Sequence, residues 1–374
     1  MASIHKTRYG TYELVWYENG DRKTTTCKTK AEANVMRGDI ERKGRHVRRQ
    51  DAPTLRQFAV EWLAGRTDLA DATLALYAQQ LKVHVLSDLG HLSVAELKPS
   101  RLAEWQRARL AAGSGPSALG KAQGVLSQIL DSAVLPHEYL DVNPCLALKP
   151  PSYQKKEHRW LTAGDVEALR LWFIDREDLG SATLISVLAY VGIRPQDALA
   201  RTWADLGDRL SVTSKVVNGQ IKDGSKTGTA YKRRVEIPEM VAADLEEWRL
   251  ASRGAGLIFP RKSDGLPWTK TDWDNWRSRH PKEGKRPRCF KRAAEDLGLG
   301  SSLKPYDLRH TAASLMAAAG WSAVEIAAQL GHSPTESQRT YQHLIHDDRR
   351  DRGSIDDYIR EARGLAPERE AANA

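Results

Sequence analysis

Three short alternating runs open the chain. Ile4 to Tyr9, Tyr12 to Tyr17 and Lys23 to Lys28 are rich in β-branched and aromatic residues, and Gly10 and Glu18-Asn19-Gly20-Asp21 separate them. The Asn-Gly pair is a hairpin signal, so the pattern predicts a three-stranded meander. From Thr29 the apolar positions Ala31, Ala33, Val35, Met36 and Ile40 become helical, with Thr29 as N-cap and Glu32 in capping-box position. Beyond Asp51-Ala52-Pro53 the texture is wholly helical. Thr54 to Leu63, Ala72 to Val83, Lys98 to Ala111 and Ala118 to Leu135 carry apolar residues three and four apart, broken at Gly65, Ser87 to Gly90 and Gly113 to Pro116. That spacing predicts a four- or five-helix bundle.

Pro150 and Pro151 stop any helix in the basic stretch Lys149 to Arg159, which reads as a solvated hinge. A further domain starts at Leu161-Thr162, with Thr162 as cap. It continues through an apolar helix at Ala182 to Val191, strands at Leu210 to Val217 and Lys232 to Ile237, and a helix begun by Ser322 with Glu325 and ended by Gly331. Ile355 to Ala362 forms a narrow apolar stripe in a tail of mixed charge, which could be a solvated appendage. The expected fold class is mainly α with small β-sheets (α+β). Its segments are 1–50, 53–148, a linker at 149–159, 160–346 and a tail at 347–374.

Composition adds a direction. The 374 residues carry a formal charge of +9, and residues 1–50 alone hold twelve Lys and Arg against six Asp and Glu. Such a balance favours a polyanion, because each cation that neutralises a phosphate releases condensed counterions. Cys27, Cys145 and Cys289 are too few and too scattered for a disulfide framework or a zinc ligand set, so a reducing compartment is expected. No apolar run approaches a membrane span, and Met1 to Lys6 lacks the apolar core of a secretion signal.

Chemistry concentrates in an ordered set of side chains: Arg194, Lys226, Tyr306-Asp307-Leu308-Arg309-His310, Gly331-His332 and Tyr341. Two arginines can grip phosphate oxygens, a lysine can protonate a leaving alkoxide, and a tyrosine hydroxyl can serve as covalent nucleophile. Taken singly, each residue has an ordinary reading. Arg194 fits a buried salt bridge to Asp197 or Asp205, and Lys222 and Lys232 compete with Lys226. Tyr341 alone would be half-buried packing. As a series, Val191-Gly-Ile-Arg194-Pro-Gln-Asp-Ala-Leu, Ser225-Lys226-Thr-Gly with Arg233-Arg-Val-Glu-Ile-Pro, Tyr306 to Thr311, Leu330-Gly-His332-Ser and Tyr341 resemble the tyrosine recombinases of the phage integrase type.

That resemblance implies a mixed α/β catalytic domain preceded by a helical core-binding domain, the two halves of a DNA clamp, with residues 1–50 as an arm-site module. It implies a site-specific recombinase in which Tyr341 forms a 3′-phosphotyrosine, Arg194 and Arg309 stabilise the added charge, His332 donates a hydrogen bond and Lys226 protonates the 5′-oxygen. No cofactor or metal is implied, since the covalent bond retains the ester's energy. The implied partners are double-stranded attachment DNA, three further protomers in a homotetramer and DNA-bending accessory proteins, in a bacterial cytoplasm. The tail often packs on a neighbouring protomer in that family. Family members usually carry histidine where this chain has Tyr306, which leaves the base role unassigned. The basic run Arg277, Arg279, Lys282, Lys285, Arg286, Arg288, Lys291 and Arg292 reads as a nonspecific phosphate track. A type IB-like topoisomerase and a non-catalytic architectural DNA binder are the competing classes.

Overall fold

The computed structural model describes residues 2–18, 21–153, 160–224, 232–278, 289–333, 335 and 353–365. The chain divides into two compact units, Met1–Lys155 and Lys156–Ala374.

In the first unit, β1 (Ser3–Lys6), β2 (Tyr12–Glu18) and β3 (Asp21–Cys27) form an antiparallel sheet in that order. Asn19 and Gly20 of the expected hairpin signal lie outside the described residues. Leu14 stands opposite Ile4 on one side and Thr25 on the other, while Tyr12 stands opposite Cys27. Period-two alternation therefore puts Leu14 and Cys27 on one face, where they are buried with Ala33 of α1 (Lys30–Gln50). His5, Arg22, Thr24 and Thr26 fall on the other face. The Thr29 hydroxyl accepts from the Glu32 amide at 3.1 Å, and the Glu32 carboxylate accepts from the Lys28 amide at 2.9 Å, one residue earlier than a regular capping box.

Four helices follow: α2 (Leu55–Ala64), α3 (Asp71–His84), α4 (Pro99–Ala111) and α5 (Pro116–Val134). Thr54 and Gln57 make a reciprocal capping box on α2, whereas Pro99 and Pro116 occupy first-turn positions where no amide is needed. The apolar stripes converge on Leu55, Phe58, Leu81, Leu102, Leu126 and Ile129. Two large indoles enter this core with their polar ends satisfied, Trp62 Nε1 donating to Ser132 Oγ at 2.9 Å and Trp105 Nε1 to the His84 carbonyl at 2.8 Å. The Lys149 carbonyl accepts from Gln106 Nε2 at 2.9 Å, so the start of the expected hinge is tied to the bundle. Residues 154–159 lie outside the described set.

The second unit contains α6 (Ala163–Ile174), α7 (Leu179–Ser186), α8 (Pro195–Ala198), β4 (Leu210–Val212), β5 (Ser214–Val217), β6 (Gln220–Asp223), β7 (Arg233–Val235), α9 (Glu239–Ser252), α10 (Lys270–Ser278), α11 (Phe290–Asp296), α12 (Asp307–Ala318), α13 (Ala323–Leu330) and α14 (Ile355–Ala362). The single strand expected over Leu210 to Val217 is two strands in two sheets, since β4 pairs with β7 and β5 with β6. A buried cation explains the break. The Arg201 guanidinium, 1% exposed, donates to the carbonyls of Ser211 and Ser214 and to Ser214 Oγ, which bends the run at Thr213.

The tail helix α14 is not a solvated appendage in the free chain. Ile355 and Ile359 are buried in the core of their own unit, and Asp356 caps α9 by accepting from the amides of Glu239 and Met240 at 3.0 and 2.8 Å. The α9 N-terminus has no side-chain cap from its own residue, Pro238. Just past α14, Arg363 donates to Glu167 at 2.9 Å and to Asp244 at 2.8 Å, and Arg170 bridges the same two carboxylates at 2.6 and 2.7 Å. Two cations and two anions thus alternate around a nearly dry square, joined by Ser186 Oγ on Asp244 and the Tyr190 hydroxyl on Glu167. Burial, then Glu167, pushes the Tyr190 phenol far above its usual range, so it stays a donor.

Candidate active site

The site is organised around one helix end. After α7 the backbone widens into a single π-type turn, residues 187–191, and stops at Gly192, whose φ is +75°. Only a residue without a Cβ fits here. An added Cβ would stand 2.5 Å from Leu330 Cδ2 and 2.8 Å from the Ala312 Cβ. The reversed chain then buries Ile193 and presents Arg194 at the start of α8, with Pro195 fixing the first helical position. Arg194 is one-third exposed and its Nη2 donates to the Gly331 carbonyl at 3.0 Å.

Arg309 approaches from α12, which buries it together with Leu308, Ala312 and Met316. It is 3% exposed, with Nη1 donating to the Gly192 carbonyl at 2.7 Å and Nη2 to the Leu330 carbonyl at 2.6 Å. The two guanidinium groups therefore rest on neighbouring carbonyls of a single turn. That turn closes α13, where the Ser322 and Glu325 capping box begins the helix and Gly331, with φ of +71°, ends it. His332 follows with its amide donating to Ala327 and its Nδ1 lying 3.4 Å from the Ser333 carbonyl.

A third cation completes the cluster. Arg233 of β7 donates from Nε to the Gln329 carbonyl at 3.2 Å, and its Nη2 stands 3.7 Å from Asp197 Oδ2. The same carboxylate oxygen is 3.9 Å from Arg194 Nη1. Gln329 holds the floor together, donating to the carbonyls of Val191 and Glu236 at 3.2 and 2.9 Å and accepting from the Glu236 amide. Three arginines around one buried aspartate leave an excess of positive charge, an arrangement suited to an anion. Burial, and after it the charge of Arg194, holds the Arg309 guanidinium down to about 10. It remains protonated at neutral pH, and a bound anion would relieve the strain.

Tyr306 sits at the start of α12, 45% exposed, edge-on to His310 with ring centres 5.7 Å apart. It shares with Arg194, Trp268, Trp273 and Lys304 a cavity of about 680 Å³. At the start of α12 the Asp307 and Arg309 amides donate to the carbonyls of Lys304 and Tyr306. Lys226 and Tyr341 lie outside the described residues, as do Arg279, Lys282, Lys285, Arg286 and Arg288 of the basic run. Its remaining members make surface pairs, Arg277 with Asp274 at 3.1 Å, Lys291 with Glu295 at 3.8 Å and Arg292 with Asp296 at 2.7 Å. The three cysteines are buried free thiols, and burial, then Asp131, pushes Cys145 up to about 12. No helix among the described residues is long and apolar enough to cross a membrane.

The structure thus brings Arg194, Arg309 and His332 onto one turn, with Tyr306 at its cavity. Asp197 does face Arg194, but it is shared with Arg233, and neither Arg233 nor Gln329 has a role that the motifs reveal. The available signal was Arg233 itself, two residues before Val235 on the strand that leaves the Lys226 segment.

This architecture is shared by solved DNA-bound integrases. An integrase of the transposon Tn1549, in complex with transposon right-end DNA, superposes with a TM-score of 0.62 at 16% identity, covering 77% of this chain and 95% of that one. A lambda integrase tetramer bound to a Holliday junction gives 0.61 at 16% identity over 93% and 96%. Among sequences, the integrase of Mycobacterium phage L5 is 24% identical over 78% of this chain and 75% of its own length. A putative prophage phiRv2 integrase of Mycobacterium tuberculosis is 26% identical over 77% and 73%. Residues 159–347 match the model of the phage integrase family, and the chain belongs to that family.

Proposed function

We propose that the protein is a site-specific integrase that cuts and rejoins double-stranded DNA through a 3′-phosphotyrosine on Tyr341. The observation that carries this reading is the meeting of Arg194, Arg309 and His332, from three separate segments, on the Leu330 to His332 turn. In-line attack by the Tyr341 oxygen on phosphorus, with the phenolic proton passing to water, forms one P–O bond and breaks the bond to the 5′-oxygen, which takes its proton from Lys226. The charge added to the non-bridging oxygens falls to Arg194 and Arg309, whose orientation is fixed beforehand by the carbonyls they hold. His332 supplies one more donor. Tyr306, at the start of α12, contributes a hydrogen bond. Rejoining is the same step run backwards with a 5′-hydroxyl as nucleophile, and the transferred ester bond supplies its energy.

The sheet face bearing His5, Arg22, Thr24 and Thr26 is suited to a separate arm sequence, because a β-sheet can be laid in a major groove. Strand exchange between two duplexes calls for four protomers, and DNA-bending proteins would bring distant arm and core sites together. The reaction would run in the cytoplasm of a bacterial host. The test is a nicked core duplex that traps the covalent adduct. Wild-type protein should accumulate a DNA-linked species that Tyr341→Phe does not form while binding the same duplex. Adducts persisting in the variant would remove Tyr341 from its role, and relaxation of plasmid by a monomer without recombinant products would make the protein a topoisomerase.

A further inference from the structure

Resting on the recombinase reading above, we propose that Arg233 is a positioning residue: it occupies the buried Asp197 carboxylate and so keeps the Arg194 guanidinium directed at the scissile phosphate.

Asp197 lies in the first turn of α8 with its side chain 1% exposed, and its amide donates to the Arg194 carbonyl at 2.8 Å. A carboxylate so buried needs a cation close by. Its Oδ2 lies 3.9 Å from Arg194 Nη1 and 3.7 Å from Arg233 Nη2, both well beyond the roughly 2.7–2.9 Å of a tight charge-assisted bond. The carboxylate is therefore shared, and neither arginine is drawn fully onto it. The two differ in what else they can do. Arg233, 9% exposed, is held by the Gln329 carbonyl and lies against Gly331, where an added Cβ would come within 2.7 Å of its guanidinium. Arg194, 33% exposed, lines the open cavity with Tyr306.

Without Arg233, Asp197 would have Arg194 as its nearest cation among the described residues. Closing 3.9 Å to a normal ion-pair distance swings the Arg194 guanidinium about 1 Å toward α8 and away from the Gly331 carbonyl, a displacement of the size that costs about 100-fold in a positioned reaction. The burial that lowers the Arg309 pKa, together with its two arginine neighbours, fits a cluster held in readiness for an anion. Arg233 also sits seven residues beyond Lys226 in the sequence, at the start of β7.

The experiment measures adduct formation on the nicked core duplex, and binding of that duplex, for Arg233→Met, Arg233→Lys, Asp197→Asn and the Arg233→Met/Asp197→Asn pair in the full chain. Arg233→Met should slow adduct formation about 10- to 100-fold while affinity changes by less than about threefold, as expected for an interaction that matters in the transition state. Arg233→Lys, which keeps a cation on Asp197, should retain most of the rate. The decisive variant is the pair, since the neutral amide left by Asp197→Asn no longer competes for Arg194: it should react about tenfold faster than Arg233→Met alone. If Arg233→Met fails to unfold cooperatively, Arg233→Gln, which keeps a donor toward the Gln329 carbonyl, replaces it in the same comparison. A paired variant as slow as Arg233→Met, or slower, overturns the assignment and makes Arg233 a strut. Wild-type protein giving no adduct overturns the recombinase reading and this one with it, whereas adducts without the rescue overturn this one alone.

Discussion

Replacing Gly192 by alanine tests the geometry on which the candidate site depends. Two penalties add. The φ of +75° places an L-residue in the left-handed region, at a cost of about 1–2 kcal/mol. The new Cβ would stand 2.5 Å from Leu330 Cδ2 and 2.8 Å from the Ala312 Cβ, where carbons need roughly 3.5–4.0 Å. Relief requires shifts of about 1 Å in a packed core, which costs about 1–3 kcal/mol. The expected loss is therefore about 2–5 kcal/mol, or roughly 5–15 °C in the midpoint of the second unit's thermal transition. Function should suffer more than stability suggests, because the Gly192 carbonyl is an acceptor for Arg309, and each ångström of misplacement can cost about 100-fold in rate. Thermal unfolding followed by circular dichroism, with adduct formation on a nicked duplex, reads both effects. Adding Leu330→Ala separates them: it removes the nearer clash but not the φ strain, so the double variant should be more stable than the sum of the single losses by about 1 kcal/mol or more. A Gly192→Ala protein destabilised by less than about 1 kcal/mol and cleaving at the wild-type rate would refute the reasoning.

Three further outcomes are expected. Lys226→Ala should lose cleavage on ordinary DNA and regain it on a substrate with a sulfur-substituted 5′ leaving group, because a thiolate departs without a proton; no rescue would move the acid role to another residue. Arg363→Ala should cost about 3 kcal/mol in chemical denaturation, since it leaves Glu167 and Asp244 with Arg170 alone, and an unchanged midpoint would mean that the square is already satisfied. A chain starting near Pro53 should still cleave a core duplex but lose selective binding to arm DNA; equal losses on arm and core duplexes at two salt concentrations would reduce residues 1–50 to a nonspecific charge.

Much of the local structure was legible because it is set by nearest neighbours. Thr54, Thr162 and Ser322 mark helix starts by their own hydroxyls, and Gly331 marks an end by its φ. The expected helix over Ala118 to Leu135 runs over Pro116–Val134. What could not be read depends on residues distant in sequence. The break between β4 and β5 is caused by Arg201, which is ten residues from Ser211 and indistinguishable in sequence from any surface arginine. Arg194 and Arg309 were legible as chemistry, through order and motif, but not as a pair resting on adjacent carbonyls of residues 330 and 331. Arg233 stood within a quoted motif but was given no role for the opposite reason: it belongs to a basic run where Lys232 and Arg234 have the same charge, and only the fold distinguishes the one that faces Asp197.

The square of charges that Arg363 completes has a consequence for how the protein is made. Glu167 belongs to the first helix of its unit and Asp244 to a later one, yet their second cation is supplied only by a residue translated more than a hundred positions after them. On the ribosome, the nascent unit must hold two buried acids against one arginine until α14 has emerged and the Asp356 cap has reached α9. A message that stops before codon 355 would yield a species caught short of its native packing, and pulse proteolysis of stalled nascent chains ending before and after Arg363 would reveal the step.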